Sequence, residues 1–225
     1  MFRRHFKWFA VASLAVLVCA APAARAVTLK TLVDGGTKTC GDKFFNNFKY
    51  SATGDMPTDL AVNVDCITIA GNFGLEFQGA FGDTPTSPGG SDALISYTVT
   101  VTDPRFVITD AHIYGNPAIL PPGGTGIMSV TDTFHPDAPN IMNIFDVKPD
   151  FPNQLSDFTT FSTGYKTLHV QKDIFGFALR GFATMSFVDQ TYSQTGQTGV
   201  PEPGTLGLLG IGLLGFVGYG WWRRR

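Results

Sequence analysis

Apolar side chains recur at every second position through most of the middle of this chain. Phe73, Leu75, Phe77 and Phe81 fall on one face of an extended segment, as do Ile95, Tyr97, Val99 and Val101. Ile141, Asn143, Phe145 and Val147 make a third such face, with one polar exception. Phe182, Thr184, Ser186 and Val188 oppose Ala183, Met185 and Phe187. Period two is the signature of a strand, because successive side chains point to opposite sides. Further strands are expected over 44–50, 60–69, 106–114, 127–134, 165–171 and 174–179. Clusters of Gly, Pro and Asp punctuate the runs at 82–92, 115–126, 136–139 and 148–153. Short strands with turn signals between them predict an all-β domain, a β-sandwich or jelly roll. No amphipathic helix of useful length and no clean internal repeat interrupts the pattern.

The two ends break it. Residues 1–7 are short and basic, with Arg3, Arg4 and Lys7, and residues 8–21 are apolar. Ala24 and Ala26 then place small side chains where a signal peptidase reads, so residues 1–26 are expected to be a cleaved secretory signal helix. An uncleaved anchor is the alternative, but the apolar run is short of the ~20 residues of a membrane span. Arg3-Arg4 also faintly suits a twin-arginine route, although the strongly apolar core fits general secretion better. At the other end, residues 205–222 hold no charge, Trp221 and Trp222 close the stretch, and Arg223, Arg224 and Arg225 follow. Indoles favour the interface and arginines stay cytoplasmic, so a single transmembrane helix with the body outside is expected. Residues 192–199 are polar and uncharged and read as a flexible linker, which leaves 27–191 as the ectodomain and 200–225 as the tail.

Between linker and span stands Pro201-Glu202-Pro203, followed by a Gly/Leu-rich stretch and the closing arginines. This arrangement resembles a PEP-CTERM sorting signal. The resemblance implies recognition of Pro201, Glu202 and Pro203 by an exosortase, a membrane-embedded cysteine transpeptidase that removes the tail. It also implies release or attachment at the surface of a cell that makes exopolysaccharide. The physical reading agrees: prolines on both sides of Glu202 hold the motif extended. Six glycines between Gly207 and Gly220 weaken the helix, as suits a disposable tail. A permanent single-span anchor is the alternative. Two pieces of the body, Cys40-Gly41-Asp42-Lys43-Phe44 leading to Phe48 and Tyr50, and Lys172-Asp173-Ile174 leading to Gln190, also resemble recurrent parts of such proteins.

Charge narrows the function. Between residues 27 and 200, 9 Lys and Arg face 17 Asp and Glu. An acidic body argues against a nucleic-acid partner. Cys40 and Cys66 are the two cysteines left after signal removal, and an oxidising compartment favours a disulfide, with two buried free thiols as the alternative. His112, His135 and His169 lie far apart and fit no zinc motif, so no metal site is expected. No G-x-S-x-G elbow or phosphate loop is present, no cofactor is implied, and Gly123-Gly124-Thr125-Gly126 reads as a turn. Glu76 lies between Leu75 and Phe77 and is expected to face solvent. The expected function is non-enzymatic: a structural or adhesive component of the cell surface or extracellular polysaccharide matrix. Its expected partners are the secretion machinery, signal peptidase, exosortase, the membrane and extracellular polysaccharide. The alternative is a carbohydrate- or calcium-binding module, using Asp-rich loops or a sugar-stacking platform of Phe134, Phe151 and Phe158. A glycan hydrolase is the third reading; it would need an Asp partner for Glu76 at a defined separation, and nothing in the sequence points to one among its 16 aspartates.

Overall fold

The computed structural model describes residues 26–87 and 89–196. The signal peptide other than Ala26, residues 197–199 of the linker and the whole sorting tail lie outside them. Eleven strands and two short helical turns make up the body: β1 (Val27–Thr28), α1 (Leu29–Val33), β2 (Lys38–Cys40), β3 (Lys43–Thr53), η1 (Asp59–Ala61), β4 (Asn63–Ile69), β5 (Asn72–Asp83), β6 (Ser91–Val101), β7 (Phe106–Gly115), β8 (Ala118–Phe134), β9 (Ala138–Lys148), β10 (Ser156–Tyr165) and β11 (Thr167–Gly196). Every pairing is antiparallel, and all eleven strands belong to one curled sheet. The expected all-β fold is therefore present.

The 30-residue strand β11 organises the sheet. Its first part pairs with β6 on one side and β8 on the other, and its second part with β5 and β7. Register shifts around Arg180, beside Gly181 at φ +88°, let the strand turn between the two parts. It folds over far enough that Lys172 Nζ, in the first part, lies 3.0 Å from Gln190 Oε1 in the second. Two layers result. One runs β2-β3-β6-β11-β8-β9 and the other β1-β4-β5-β11-β7-β10.

The core fills the space between them. Tyr97 of β6 and Tyr192 of β11 meet hydroxyl to hydroxyl at 2.8 Å, and Phe45, Phe48 and Phe77 pack around Tyr97. Further along, the ring of Phe134 on β8 meets Phe161 of β10 edge-on. One polar cluster is sealed inside: Lys172 Nζ donates to both carboxylate oxygens of Asp132 at 2.7 Å, with all three of Lys172, Asp132 and Gln190 fully buried. Both open sides of the sandwich are tied. The Cys40–Cys66 disulfide joins β2 to β4 on one side. On the other, Asn140 Nδ2 donates to Thr159 Oγ1 and the Asn143 amide donates to Asp157, linking β9 to β10.

Five expectations change here, the first being that Gly123-Gly124-Thr125-Gly126, expected as a turn, lies inside β8. The linker does not begin at Tyr192: that side chain is buried and paired with Phe73 and Ala111, and β11 continues to Gly196. On β9 the inward face is Met142 and Ile144, fully buried, while Ile141 points out. Both parities of that run are apolar, so periodicity alone could not choose between them. The runs over 165–171, 174–179 and 182–188 are one strand, because β11 stays hydrogen-bonded through its bend. Strand β10 has no counterpart among the expected runs.

Candidate functional site

Alternation sends Val64 and Cys66 of β4, Leu75 and Phe77 of β5, Val188, Gln190 and Tyr192 of β11, and Ala111 and Ile113 of β7 toward the core side. Their neighbours therefore line the outer face of the second layer. Register then aligns them in rows across five strands. Asp65, Glu76, Asp189, Tyr114 and Ser156 form one row. Ile67, Gly74, Thr191, His112 and Phe158 form the next. Gly74 is required where it stands, because an added Cβ would lie 1.8 Å from the Gln190 carbonyl oxygen.

A groove of about 680 Å³ runs along this face. The β4–β5 turn at Ile69, Ala70 and Asn72 forms one wall, and Tyr114, Ser156, Asp157 and Phe158 form the other. Asp189 and Thr191 lie on its floor. Phe158 is 66% exposed and Tyr114 45%, unusual for aromatics with a core available. Phe158 is nonetheless fixed: its ring stacks on His112 with centroids 6.0 Å apart and planes inclined by 22°. His112 is held in turn, with Nε2 2.9 Å from Asp110 Oδ1 and 3.3 Å from Ser193 Oγ.

The floor is acidic. Asp189 is only 8% exposed, and its Oδ1 is buried with no hydrogen-bond partner. Burial, then the charge of neighbouring Glu76 and a hydrogen bond between the two carboxyls, push Asp189 up to about 7. Glu76 faces outward, as expected, and accepts a hydrogen bond from Gln78 Nε2. The buried Lys172 ammonium acts in the opposite sense on Asp189 but spends its hydrogen bonds on Asp132 and Gln190.

The other candidate residues are dispersed. The disulfide between Cys40 and Cys66 is formed. His135 and His169 border a separate depression of about 440 Å³ on the first layer, beside Lys49, so the three histidines do not meet. Phe134 is fully buried and cannot serve a sugar platform; Phe151 is exposed near Phe145 on a different face from Phe158. Several aspartates bond local donors: Asp55 accepts from the Thr84 amide and hydroxyl, Asp103 from the Arg105 amide, and Asp83 from Ser91 and the Ala178 amide. Among the described residues, no three His, Cys, Asp or Glu side chains converge to hold a metal ion. Nor is any helix there long and apolar enough to cross a membrane. Sequence reading missed Asn72, Tyr114, Asp189 and Thr191 as site residues, since their proximity exists only through strand register.

The tail supplies the decisive comparison. Residues 199–225 match the family model described as the PEP-CTERM protein-sorting motif. The chain carries a PEP-CTERM sorting domain. This PEP-CTERM protein is thus an exported protein sorted by an exosortase. No curated protein matches it. Similar solved structures include the mannan-recognising carbohydrate-binding module TmCBM27, with TM-score 0.33 and 11% identity over 77% of this chain and 97% of that one. TmCBM61, solved with β-1,4-galactotriose, aligns with TM-score 0.31 and 7% identity over 64% of this chain and 88% of that one. The enzymatically active domain of Bacteriophage CBA120 tailspike protein 4 aligns with TM-score 0.29 and 14% identity over 65% of this chain. The chain spans about a fifth of that tailspike structure, at 19%.

Proposed function

We propose that this PEP-CTERM protein is a non-catalytic, glycan-binding component of the cell surface or extracellular matrix. Its signal peptide directs export, the C-terminal helix holds it briefly in the membrane with the ectodomain outside, and the exosortase removes that helix. The groove on the outer face of the second layer carries the reading. An exposed aromatic ring held flat by His112 offers a face for the C–H side of a sugar, and Asn72, Thr191 and Ser156 surround it with hydroxyl partners. The Glu76 and Asp189 carboxyls favour binding over hydrolysis. They are hydrogen-bonded to each other, whereas glycosidases hold their two carboxyls at least about 5 Å apart across the scissile bond.

The test is a glycan array probed with the exported protein, alongside its Phe158→Ala and Tyr114→Ala variants. Both rings are exposed, so the expected change in unfolding free energy is about 0.5 kcal/mol or less. Binding to the preferred glycan is expected to fall at least about tenfold. Retention of full binding by both variants would remove the groove from the proposal.

A further inference from the structure

The groove presents two kinds of polar side chain. The charged ones are already committed to protein partners. Asp157 Oδ1 accepts from the Phe158 amide at 2.9 Å, and its Oδ2 from the Asn143 amide at 2.8 Å. His112 Nε2 meets Asp110 and Ser193. Asp189 is hydrogen-bonded to Glu76, and its Oδ1 is sealed from any ligand. Among the described residues, no Lys or Arg lines the groove. The uncharged side chains are open: Asn72, Tyr114, Ser156 and Thr191 line the groove, and none of them hydrogen-bonds another described residue through its side chain.

Thr191 is the informative one. Alternation along β11 turns Gln190 and Tyr192 into the core and Thr191 outward, onto the groove floor between Gly74 and His112. It is nonetheless only 4% exposed. A hydroxyl this deep is normally paired, yet Thr191 Oγ1 has no partner, and unlike Asp189 Oδ1 it is not sealed. A ligand hydroxyl that reaches the floor satisfies it. We infer, resting on the glycan-binding reading above, that the groove selects an uncharged polysaccharide and that Thr191 reads one of its hydroxyls. A sugar hydroxyl both donates and accepts, as do the three hydroxyls and the carboxamide that line the groove, so each can pair with it in either sense. A carboxylate, sulfate or phosphate brings acceptors and negative charge toward Asp157, with no protein cation to hold it. An ammonium brings only donors and finds the carboxyls capped by backbone amides or by another carboxyl.

A glycan array carrying neutral, acidic and free-amine glycans tests this, probed with the exported protein and its Thr191→Val, Thr191→Ser and Ser156→Ala variants. Neutral glycans are expected to make up the bound set. For the strongest of them, Thr191→Val is expected to weaken binding about threefold to tenfold, the loss of one hydrogen bond, while Thr191→Ser stays within about twofold of the parent. The melting temperature of Thr191→Val is expected to be unchanged or higher, since the hydroxyl it removes has no partner in the free protein. Ser156→Ala, at an exposed position, carries the same binding test where Thr191→Val melts lower. Raising sodium chloride from about 0.1 to about 1 M is expected to leave the affinity within about twofold. A bound set led by acidic or amine-bearing glycans, or a steep fall in affinity with salt, overturns the inference and leaves the glycan reading intact. Full binding by both Thr191→Val and Ser156→Ala overturns the hydroxyl readout. Binding to no glycan of any class sinks the inference together with the reading it rests on.

Discussion

At the scale of single residues, the most consequential group is Lys172, a fully buried ammonium held by the two oxygens of Asp132 and by Gln190. Burial pushes the Asp132 carboxyl up and the Lys172 ammonium down, while their mutual attraction opposes both shifts. Removing one partner strands the other charge in the core. Lys172→Met is therefore expected to lower unfolding free energy by about 3–5 kcal/mol, and the double variant Lys172→Met, Asp132→Leu to recover much of it. Urea denaturation measures both, and a loss below about 1 kcal/mol for the single variant would contradict the sealed-pair description. Asp189 makes a second prediction. Its carboxyl is pushed up to about 7 from an ordinary 3.8, so the fold binds that proton more tightly than the unfolded chain does. Its contribution to stability is therefore full below about pH 4, declines as the pH rises to about 7, and is constant above. Asp173, pushed up to about 6 by burial and by Asp92, adds a slope of the same sign. Thermal melts between these limits should show a shallower decline in Asp189→Asn than in the parent; identical slopes would refute the assignment.

At the scale of elements, the two ties across the sandwich carry separable weight. The disulfide links residues 26 apart in sequence and fastens the short edge strand β2 to β4. Replacing both cysteines with alanine is expected to cost about 3–4 kcal/mol in the chain-entropy account, with hydrogen exchange rising first in β2 and the start of β3. The bend of β11 depends on Gly181, where an added Cβ would meet the Leu120 carbonyl oxygen at 2.1 Å and φ is +88°. Gly181→Ala should destabilise by about 1–3 kcal/mol in the same denaturation assay. These elements also mark what the sequence could and could not convey. Ile95, Tyr97, Val99 and Val101 announce β6 because one parity is apolar and all four are buried. Strand β10 stayed hidden because Ser, Thr and Gly fill most of its positions and its Phe158 is exposed. The unity of β11 was masked at Lys172-Asp173 and at Arg180-Gly181, where the expected runs stop although the strand continues, with register shifts around Arg180. The groove draws on residues from Ile69 to Thr191 on five strands, and only pairing register makes neighbours of them.

At the scale of the whole molecule, the sorting motif at 199–225 follows β11 almost at once. Intact mass of the product exported by an exosortase-positive host is expected to place the N-terminus at Val27 and the C-terminus near Pro201–Gly204; a product that keeps Trp221 through Arg225 would contradict tail removal. The shared strand gives this layout a mechanical meaning. Any attachment at the C-terminus pulls on Gly196, and Asp189 and Thr191 of the groove floor lie on the same strand, about 20 Å away at extended-strand rise. On the proposed reading, a tug on a bound polymer would reach the C-terminal attachment along one short length of backbone, flanked by the β7 ladder throughout and by the β5 ladder as far as Tyr192. Those hydrogen bonds lie across the line of force and share the load in shear, so the tether can bear tension without passing it through the first layer or the buried Lys172–Asp132 pair.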